Sequence, residues 1–242
     1  MSATERPWPE GGLFARLRAS CPADWRRYTE HDFVCQLARG TLPEASFRHY
    51  LGQDYLFLIQ FARAYALAIY KSSSLQDMRD ALAGVKAILD NEMSLHVRYC
   101  QSWGLSEADI ERLPEAPATL AYTRYVLETG MAGDLLDLRV ALAPCIVGYG
   151  EIGWAIARDP ATRRDANPYQ DWIATYGGAD YQGVALAAAA GLDRLWQERA
   201  GGGELEDGVG VEPREGGELA DFALGPFAVA RVTADEQRAL GL

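Results

Sequence analysis

One residue that could do chemistry is a cysteine inside an apolar helical run. Cys145 directly follows Pro144 in the stretch LRVALAPCIVGYGEIGWAIA. A proline inside a helix removes the hydrogen bond to the carbonyl four residues earlier, so we expect a kink that frees backbone groups beside the thiol. A thiol in that setting is a candidate nucleophile. The alternative is a small buried apolar side chain, the usual role of a lone cysteine.

A second candidate is an aspartate on the apolar side of a long predicted helix. Between Pro43 and Lys71, apolar side chains recur at three- and four-residue spacings, and Asp54 lies on their stripe, three residues after Leu51. Because an isolated buried charge is very costly, this carboxylate must be paired or hydrogen-bonded. It is either a structural bridge to another helix or part of a binding site.

Aromatic side chains form the third group. Tyr122, Tyr149 and Tyr176 are either core residues or the lining of a pocket that stacks a flat heterocycle and places hydroxyls at its nitrogens. Among the histidines, His96 follows Glu92 at the i,i+4 spacing, which we interpret as a helical ion pair rather than a metal pair.

Metal and cofactor chemistry have little support in this sequence. The chain has only three histidines and no CxxC pair, so we expect no metal site and no cofactor. Cys21, Cys35 and Cys100 are predicted to be reduced structural thiols. His31, near the start of an early helix, is predicted to be a capping or core residue rather than a haem ligand.

The elements that must position these residues are helices, and no run alternates with the period of a strand. Short loops between long helices predict one all-α, bundle-like domain over residues 1–200. Residues 201–218 hold seven glycines, six acids and one arginine, and are predicted to be a flexible segment. Residues 219–242 are predicted to form a C-terminal helix that packs on the same domain. The predicted helices span approximately 10–20, 23–39, 43–71, 75–103, 106–113, 117–129, 134–158, 168–176 and 179–199.

Composition excludes several classes of protein. The 242 residues are 49% hydrophobic with a formal net charge of −11, which excludes wholesale disorder. Only two lysines, Lys71 and Lys86, are present, so we expect no nucleic-acid partner. The longest apolar run, 141–157, is expected to be too short to span a bilayer. The first ten residues lack a signal-peptide pattern, so a cytoplasmic protein without a membrane partner is expected.

Several motifs in one order resemble the TenA/thiaminase II family. They are EHDFVCQLARGTLPEASFRHYLGQDYLFLIQFARAYA, then NEMSLHVRYC, then the stretch Pro-Cys-x-x-Gly-Tyr-x-Glu-x-Gly at 144–153, then YQDWIATYGG. The resemblance covers roughly residues 12–198. It implies an all-α fold of the haem-oxygenase-like type, commonly a homotetramer. It also implies hydrolysis of aminopyrimidines or of thiamin to give hydroxymethylpyrimidine in thiamin salvage.

The resemblance also implies roles for individual residues. Cys145 matches the nucleophile that adds to the pyrimidine ring, which places this chain in the cysteine-containing subgroup. Asp54 matches the carboxylate that binds the amino group and a ring nitrogen. Tyr122, Tyr149 and Tyr176 match tyrosines around the ring and the thiol. Phe57 stands where some members have tyrosine, so one hydroxyl contact is expected to be absent.

The C-terminal segment departs from the family pattern. Members end in a helix with a catalytic glutamate before a Phe-Trp pair, and nothing after Gly201 reproduces this motif. Counting from Tyr176 suggests Glu218, Glu236 lies nearby but out of phase, and alignment from the terminus suggests Ala234. Loss of a general acid costs on the order of 10²–10⁴ in rate.

Two alternatives to the hydrolase therefore stay open. The first is a catalytically impaired pyrimidine-binding or regulatory protein with the same pocket, because the glutamate motif is missing. The second is a haem or iron oxidase on the same scaffold, which would use His31 or His96.

Overall fold

The computed structural model describes residues 8–104 and 106–201, and every regular element in these ranges is helical. The prediction of an all-α fold is confirmed. A π-helical turn at Ala87–Glu92 joins α5 to α6, and a second at Pro144–Gly148 joins α9 to α10. The helices are α1 (Leu13–Ser20), α2 (Pro22–Thr29), α3 (Asp32–Arg39), α4 (Glu44–Lys71), α5 (Leu75–Lys86), α6 (Met93–Ser102), α7 (Glu107–Glu111), α8 (Pro117–Ala132), α9 (Leu135–Ala143), α10 (Tyr149–Arg158), α11 (Gln170–Gly177) and α12 (Ala179–Gly201).

The described chain divides into two compact units. We call residues 42–141 the one-segment unit, and residues 8–41 with 142–201 the two-segment unit. The prediction of a single domain over residues 1–200 stays a prediction. The predicted flexible segment at 201–218 and the predicted helix at 219–242 lie outside the described residues, apart from residue 201 at the end of α12.

The one-segment unit is built around α4, which packs against α5, α6 and α8. Its 28 residues form one uninterrupted helix because apolar side chains recur at helical spacing and no proline follows the N-cap residue Pro43. The predicted apolar stripe is buried, with Ala62 half-buried, but residues 50–58 are buried on every side of the helix rather than on one face. The buried members of that stripe are Phe47, Tyr50, Leu51, Tyr55, Leu58, Phe61 and Tyr65.

The two-segment unit packs α10 on α11 and α12, and α1 on α12. A partly buried ion pair joins its two chain segments, since Arg18 of α1 donates to both carboxylate oxygens of Glu151 on α10 at 3.0 and 3.1 Å. Helix α3 ends at Gly40, whose φ of +66° is the left-handed conformation that favours glycine.

One predicted helix is divided in the structure. The sequence predicts a single helix over 23–39, whereas α2 ends at Thr29 and α3 begins at Asp32. His31 is the N-cap of α3, and its Nδ1 accepts a hydrogen bond from the backbone N–H of Phe33 at 3.2 Å. The capping role predicted for His31 is confirmed.

The apolar run around Cys145 forms a longer helix than the sequence indicates. The helical stretch Leu135–Arg158 has 24 residues, so by length and composition alone it could cross a membrane, and the expectation that it is too short is wrong. The helix continues through Pro144 because the π-helical turn accommodates the missing backbone hydrogen bond. However, 72% of its most apolar window is buried inside the protein, as in a core helix.

Candidate functional site

A buried acid–imidazole pair lies in the one-segment unit. Asp54, in the middle of α4, is 7% exposed, and His96 of α6 is 4% exposed. The distance between Asp54 Oδ2 and His96 Nε2 is 2.7 Å, and His96 Nδ1 lies 2.8 Å from the backbone carbonyl oxygen of Glu92. The sequence-based interpretation of a Glu92–His96 ion pair is therefore corrected. The carboxylate hydrogen-bonded to His96 belongs to Asp54, and Glu92 accepts a hydrogen bond from His96 through its backbone carbonyl.

This geometry fixes the position of one proton on the imidazole. A carbonyl oxygen only accepts hydrogen bonds, so His96 Nδ1 must carry hydrogen. The contact between Nε2 and Asp54 Oδ2 then contains a second proton, which belongs to His96 in an ion pair or to Asp54 in a neutral pair. Either way, the two side chains together hold one proton that a free carboxylate and a neutral imidazole would lack.

A second carboxyl group acts on the pair. Burial, together with the negative charge of Asp54, raises the pKa of Glu92 to about 7. Burial alone would lower the pKa of His96, but the hydrogen bond and charge of Asp54, with the carbonyl and charge of Glu92, raise it above its ordinary value. We call Asp54, Glu92 and His96 the acid–imidazole cluster. It holds protons into the neutral pH range, as acid–base sites do.

Two predicted ring residues stack on each other in the same unit. The Phe57 and Tyr122 rings have centroids 5.8 Å apart and an interplanar angle of 12°, and Phe57 also stacks on Phe61 at 5.2 Å. Phe57 is one turn from Asp54 on α4, so the carboxyl group and the Phe57 ring belong to one helix face, and Tyr122 of α8 stacks on that ring. The Tyr122 hydroxyl donates to the carbonyl of Ala141 at 3.0 Å, which fixes the tilt of its ring.

Cys145 occupies the π-helical turn Pro144–Gly148, which we call the cysteine π-turn. Its Sγ donates to the carbonyl of Leu142 at 3.0 Å, and its side chain is buried. Two tyrosine hydroxyls hold other carbonyls of the turn. Tyr28 donates to Pro144 at 2.9 Å, and Tyr181 lies 3.3 Å from the carbonyls of both Cys145 and Ile146. At Pro144, where a kink is predicted, the structure has a π-helical turn, and the backbone carbonyls of this turn accept side-chain hydrogen bonds.

Aromatic rings from three helices surround the end of that turn. The Tyr149 ring lies 5.2 Å from Tyr176 and 6.2 Å from Trp172, and Tyr176 lies 4.7 Å from Tyr181. We call these four residues the ring cluster. A cluster of flat, polarisable rings with hydroxyl groups suits a flat heterocycle with polar edges.

The structure therefore places the six predicted site residues in two groups. Asp54, Phe57 and Tyr122 lie in the one-segment unit, and Cys145, Tyr149 and Tyr176 lie in the two-segment unit. Sequence reasoning missed Tyr28, Trp172 and Tyr181, and it assigned His96 to the wrong carboxylate. A signal existed for Trp172 and Tyr181, because they lie four residues before and five after Tyr176 around the Gly177-Gly178 helix stop.

Among the other cysteines Cys100 is buried, whereas Cys21 and Cys35 are partly exposed. Burial raises the pKa of all three thiols. Since the thiolate is the reactive form, these three residues are unreactive relative to an exposed thiol. Within residues 8–104 and 106–201, no group of three or more His, Cys, Asp or Glu side chains is arranged to hold a metal ion.

A family model described as TENA/THI-4/PQQC matches residues 19–206. This chain belongs to that family. The match contains both groups of predicted site residues, and the haem-oxygenase-like all-α fold is that of the family. A crystal structure described as a TenA family transcription regulator, from Silicibacter sp. TM1040, is 40% identical. The TM-score is 0.75, and the alignment covers 96% of this chain and 97% of the Silicibacter chain.

Two curated relatives within the TENA/THI-4/PQQC family match about two thirds of this chain. An uncharacterized protein of Haemophilus influenzae is 44% identical over 161 residues, which cover 66% of this chain and 74% of that protein. A protein of Halalkalibacterium halodurans named aminopyrimidine aminohydrolase is 36% identical over 161 residues, which cover 66% of this chain and 71% of that protein.

Proposed function

We propose that this protein is an aminopyrimidine aminohydrolase of the thiaminase II type. It would convert 4-amino-5-aminomethyl-2-methylpyrimidine, or thiamin, to hydroxymethylpyrimidine in thiamin salvage. Membership of the family and the name of the Halalkalibacterium halodurans relative support this class of reaction. The observation that carries it here is the buried carboxyl of Asp54, one turn from Phe57, whose ring stacks on that of Tyr122. A carboxyl group beside flat rings is suited to bind the amino-substituted edge of a pyrimidine.

In the proposed mechanism Cys145 is the nucleophile. Its proton must leave first, because the thiol donates to the carbonyl of Leu142 in the resting protein. The thiolate forms a C–S bond to a ring carbon, and a ring nitrogen takes up a proton. The amine on the 5-methylene then departs with a proton of its own. Water adds to the methylene and loses one proton. The C–S bond then breaks as the ring nitrogen gives up its proton, which restores the aromatic ring and releases the thiolate and hydroxymethylpyrimidine. Covalent catalysis of this kind divides one hard substitution into easier steps.

The substrate contacts in this proposal are those that the family resemblance implies. Asp54 binds the amino group and a ring nitrogen of the pyrimidine. Phe57 and Tyr122 contact the ring, and Tyr149 and Tyr176 pack around the ring and the thiol. The candidates for the proton donor to the leaving amine, Glu218 and Glu236, lie outside the described residues. A cytoplasmic homotetramer without a cofactor, a membrane or a nucleic-acid partner completes the proposal.

The decisive experiment compares Cys145→Ser with Cys35→Ser. The purified protein is incubated with 4-amino-5-aminomethyl-2-methylpyrimidine or thiamin, and hydroxymethylpyrimidine is measured by liquid chromatography. We expect the wild type and the Cys35→Ser control to turn over, and Cys145→Ser to lose at least about 10³-fold in kcat. Equal turnover by Cys145→Ser would eliminate the proposed nucleophile, provided that both variants melt as the wild type does.

A second candidate function is pyrimidine binding without turnover, in a regulatory protein. The description of the 40% identical Silicibacter structure as a transcription regulator favours it, as does the absence of the family's glutamate motif after Gly201. The formal charge of −11 argues against direct contact with DNA. Calorimetric binding of hydroxymethylpyrimidine by a protein that releases no product in the assay above would establish this function. Ready hydrolysis would reject it.

A further inference from the structure

We propose that His96 is the positioning residue of Asp54, and that the pair enters the reaction as an ion pair with the proton on His96. Asp54 then accepts hydrogen bonds through Oδ1, the oxygen that His96 does not engage. This inference rests on the proposed function, because it specifies how Asp54 would receive the amino group of an aminopyrimidine.

The orientation of His96 is set from its own helix. Nδ1 donates to the carbonyl of Glu92, one turn earlier, so Nε2 is directed away from the backbone of α6 and toward Asp54. The interaction therefore has a fixed tautomer and a fixed direction, in the manner of a histidine oriented by a second hydrogen bond. Asp54 is held through one oxygen at 2.7 Å, which restricts the rotation of its carboxyl group.

The charges around the pair favour the ion-paired form. The charged groups that act on His96 are Asp54 on α4 and Glu92 at the end of the Ala87–Glu92 π-turn, and both carry negative charge when ionised. Protonated His96 is attracted by the charge of Asp54 and by ionised Glu92, whereas a proton moved to Asp54 would lose both attractions. A deprotonated Asp54 is a pure hydrogen-bond acceptor and thus suits the N–H groups of an amino substituent.

The first test needs no substrate. Nitrogen-15 NMR reports whether both ring nitrogens of a histidine are protonated, and the chain has only three histidines. The variant His96→Gln assigns the His96 signal by its loss. In the wild type we expect His96 to stay protonated to a higher pH than a free imidazole does, because its pKa is raised. In Asp54→Asn we expect its titration to move down by about one pH unit or more. Titration of His96 at the same pH in the wild type and in Asp54→Asn would overturn the proposal.

The second test measures turnover and binding separately. His96→Ala is expected to raise the KM for the aminopyrimidine about tenfold or more, because Asp54 is no longer oriented. His96→Gln, which keeps a side-chain N–H donor, is expected to recover part of the loss. His31→Asn is the control, since asparagine retains the N-cap acceptor of α3. A His96→Ala variant that folds and has the KM and pH profile of the wild type would contradict the positioning role.

The two proposals fail in different ways. If the wild type turns over no aminopyrimidine, the proposed function fails, while the NMR titration still decides whether Asp54 and His96 form an ion pair. If the wild type is active and the His96 variants match it in KM and pH profile, the function stands and the positioning role fails. Should His96→Ala not fold, His96→Gln and Asp54→Asn supply the same comparisons.

Discussion

Gly153 of α10 lies directly against the backbone of Tyr176 on α11, and a Cβ at residue 153 would overlap the carbonyl of Tyr176. The approach is reciprocal, because a Cβ on Gly177 would lie 2.6 Å from the Cβ of Ala157. The two helices thus pack with almost no side chain between them at this point. This close contact fixes the backbone from which the Tyr176 ring reaches Tyr149.

The first prediction concerns that contact. Gly153→Ala must separate α10 from α11, since the obstructing atoms belong to backbone that cannot rotate away. We expect a loss of about 1–3 kcal/mol in the free energy of unfolding. We also expect a higher KM for the aminopyrimidine, because the Tyr176 ring moves. Denaturant unfolding and steady-state kinetics measure the two effects.

A matched control is available in α12. A Cβ on the exposed Gly183 meets nothing within 4 Å. Gly183→Ala should therefore stabilise the protein by about 0.5–1 kcal/mol through helix propensity and leave KM unchanged. If Gly153→Ala had the same stability and the same KM as Gly183→Ala, the contact between α10 and α11 would not position Tyr176.

The second prediction concerns the pH dependence of stability. The pKa of Glu92 is about 7 in the folded protein against an ordinary value of 4.5, and the pKa of His96 is also raised. The folded state therefore binds these protons more tightly than the unfolded state does. We expect the free energy of unfolding to fall as pH rises from about 4.5 through 7 and on past the raised pKa of His96.

Substitution of Glu92 isolates its share of this dependence. Glu92→Gln keeps the backbone carbonyl that accepts from His96 and removes only the buried ionisable group. The variant should gain stability relative to the wild type at pH 8 and gain much less at pH 5. Thermal melts at both pH values measure the difference. An equal effect at pH 5 and pH 8 would mean that Glu92 does not titrate between them.

The third prediction concerns the cysteine π-turn. Tyr28→Phe and Tyr181→Phe remove hydroxyls that donate to carbonyls of Pro144, Cys145 and Ile146. For Tyr28, which is fully buried, we expect a cost of about 1–3 kcal/mol because its carbonyl partner loses a donor. We also expect Cys145 to react faster with iodoacetamide as the turn loosens, a change that mass spectrometry measures.

Tyr70→Phe provides the comparison for these variants. Tyr70 is 82% exposed, so removal of its hydroxyl should change neither stability nor the alkylation rate of Cys145. The alkylation rate of Cys145 is compared among the three variants. If Tyr28→Phe and Tyr181→Phe react no faster than Tyr70→Phe, the two tyrosines do not hold the turn in place.

The fourth prediction concerns the partly buried ion pair of the two-segment unit. Arg18→Ala leaves the carboxylate of Glu151 buried without its 3.0 Å partner, and should cost about 3–5 kcal/mol. The double variant Arg18→Met with Glu151→Leu should be much closer to the wild type, because no uncompensated charge remains. Denaturant unfolding of Arg18→Met, of Glu151→Leu and of the double variant measures the coupling. Additive losses in the double variant would mean that the two side chains act independently.

The helical architecture and the burial of the apolar stripe on α4 follow from local sequence. Helical periodicity is a local property, so the stripe from Phe47 to Tyr65 could be assigned without knowledge of what packs on it. The irregularity at Pro144 was equally predictable, because a missing N–H disrupts a helix wherever it occurs. The unusual position of Asp54 on an apolar face could also be recognised from spacing alone.

The partners of these residues were decided only by tertiary structure. His96 is 42 residues from Asp54 in the sequence. The tyrosines that donate to the cysteine π-turn are Tyr28 of α2 and Tyr181 of α12. Periodicity predicts which face of a helix is buried but not which helix covers it, so the local Glu92 was chosen over the distant Asp54. The division of 23–39 at His31 arose in the same way, since a side-chain cap can begin a new helix within an apparently continuous pattern.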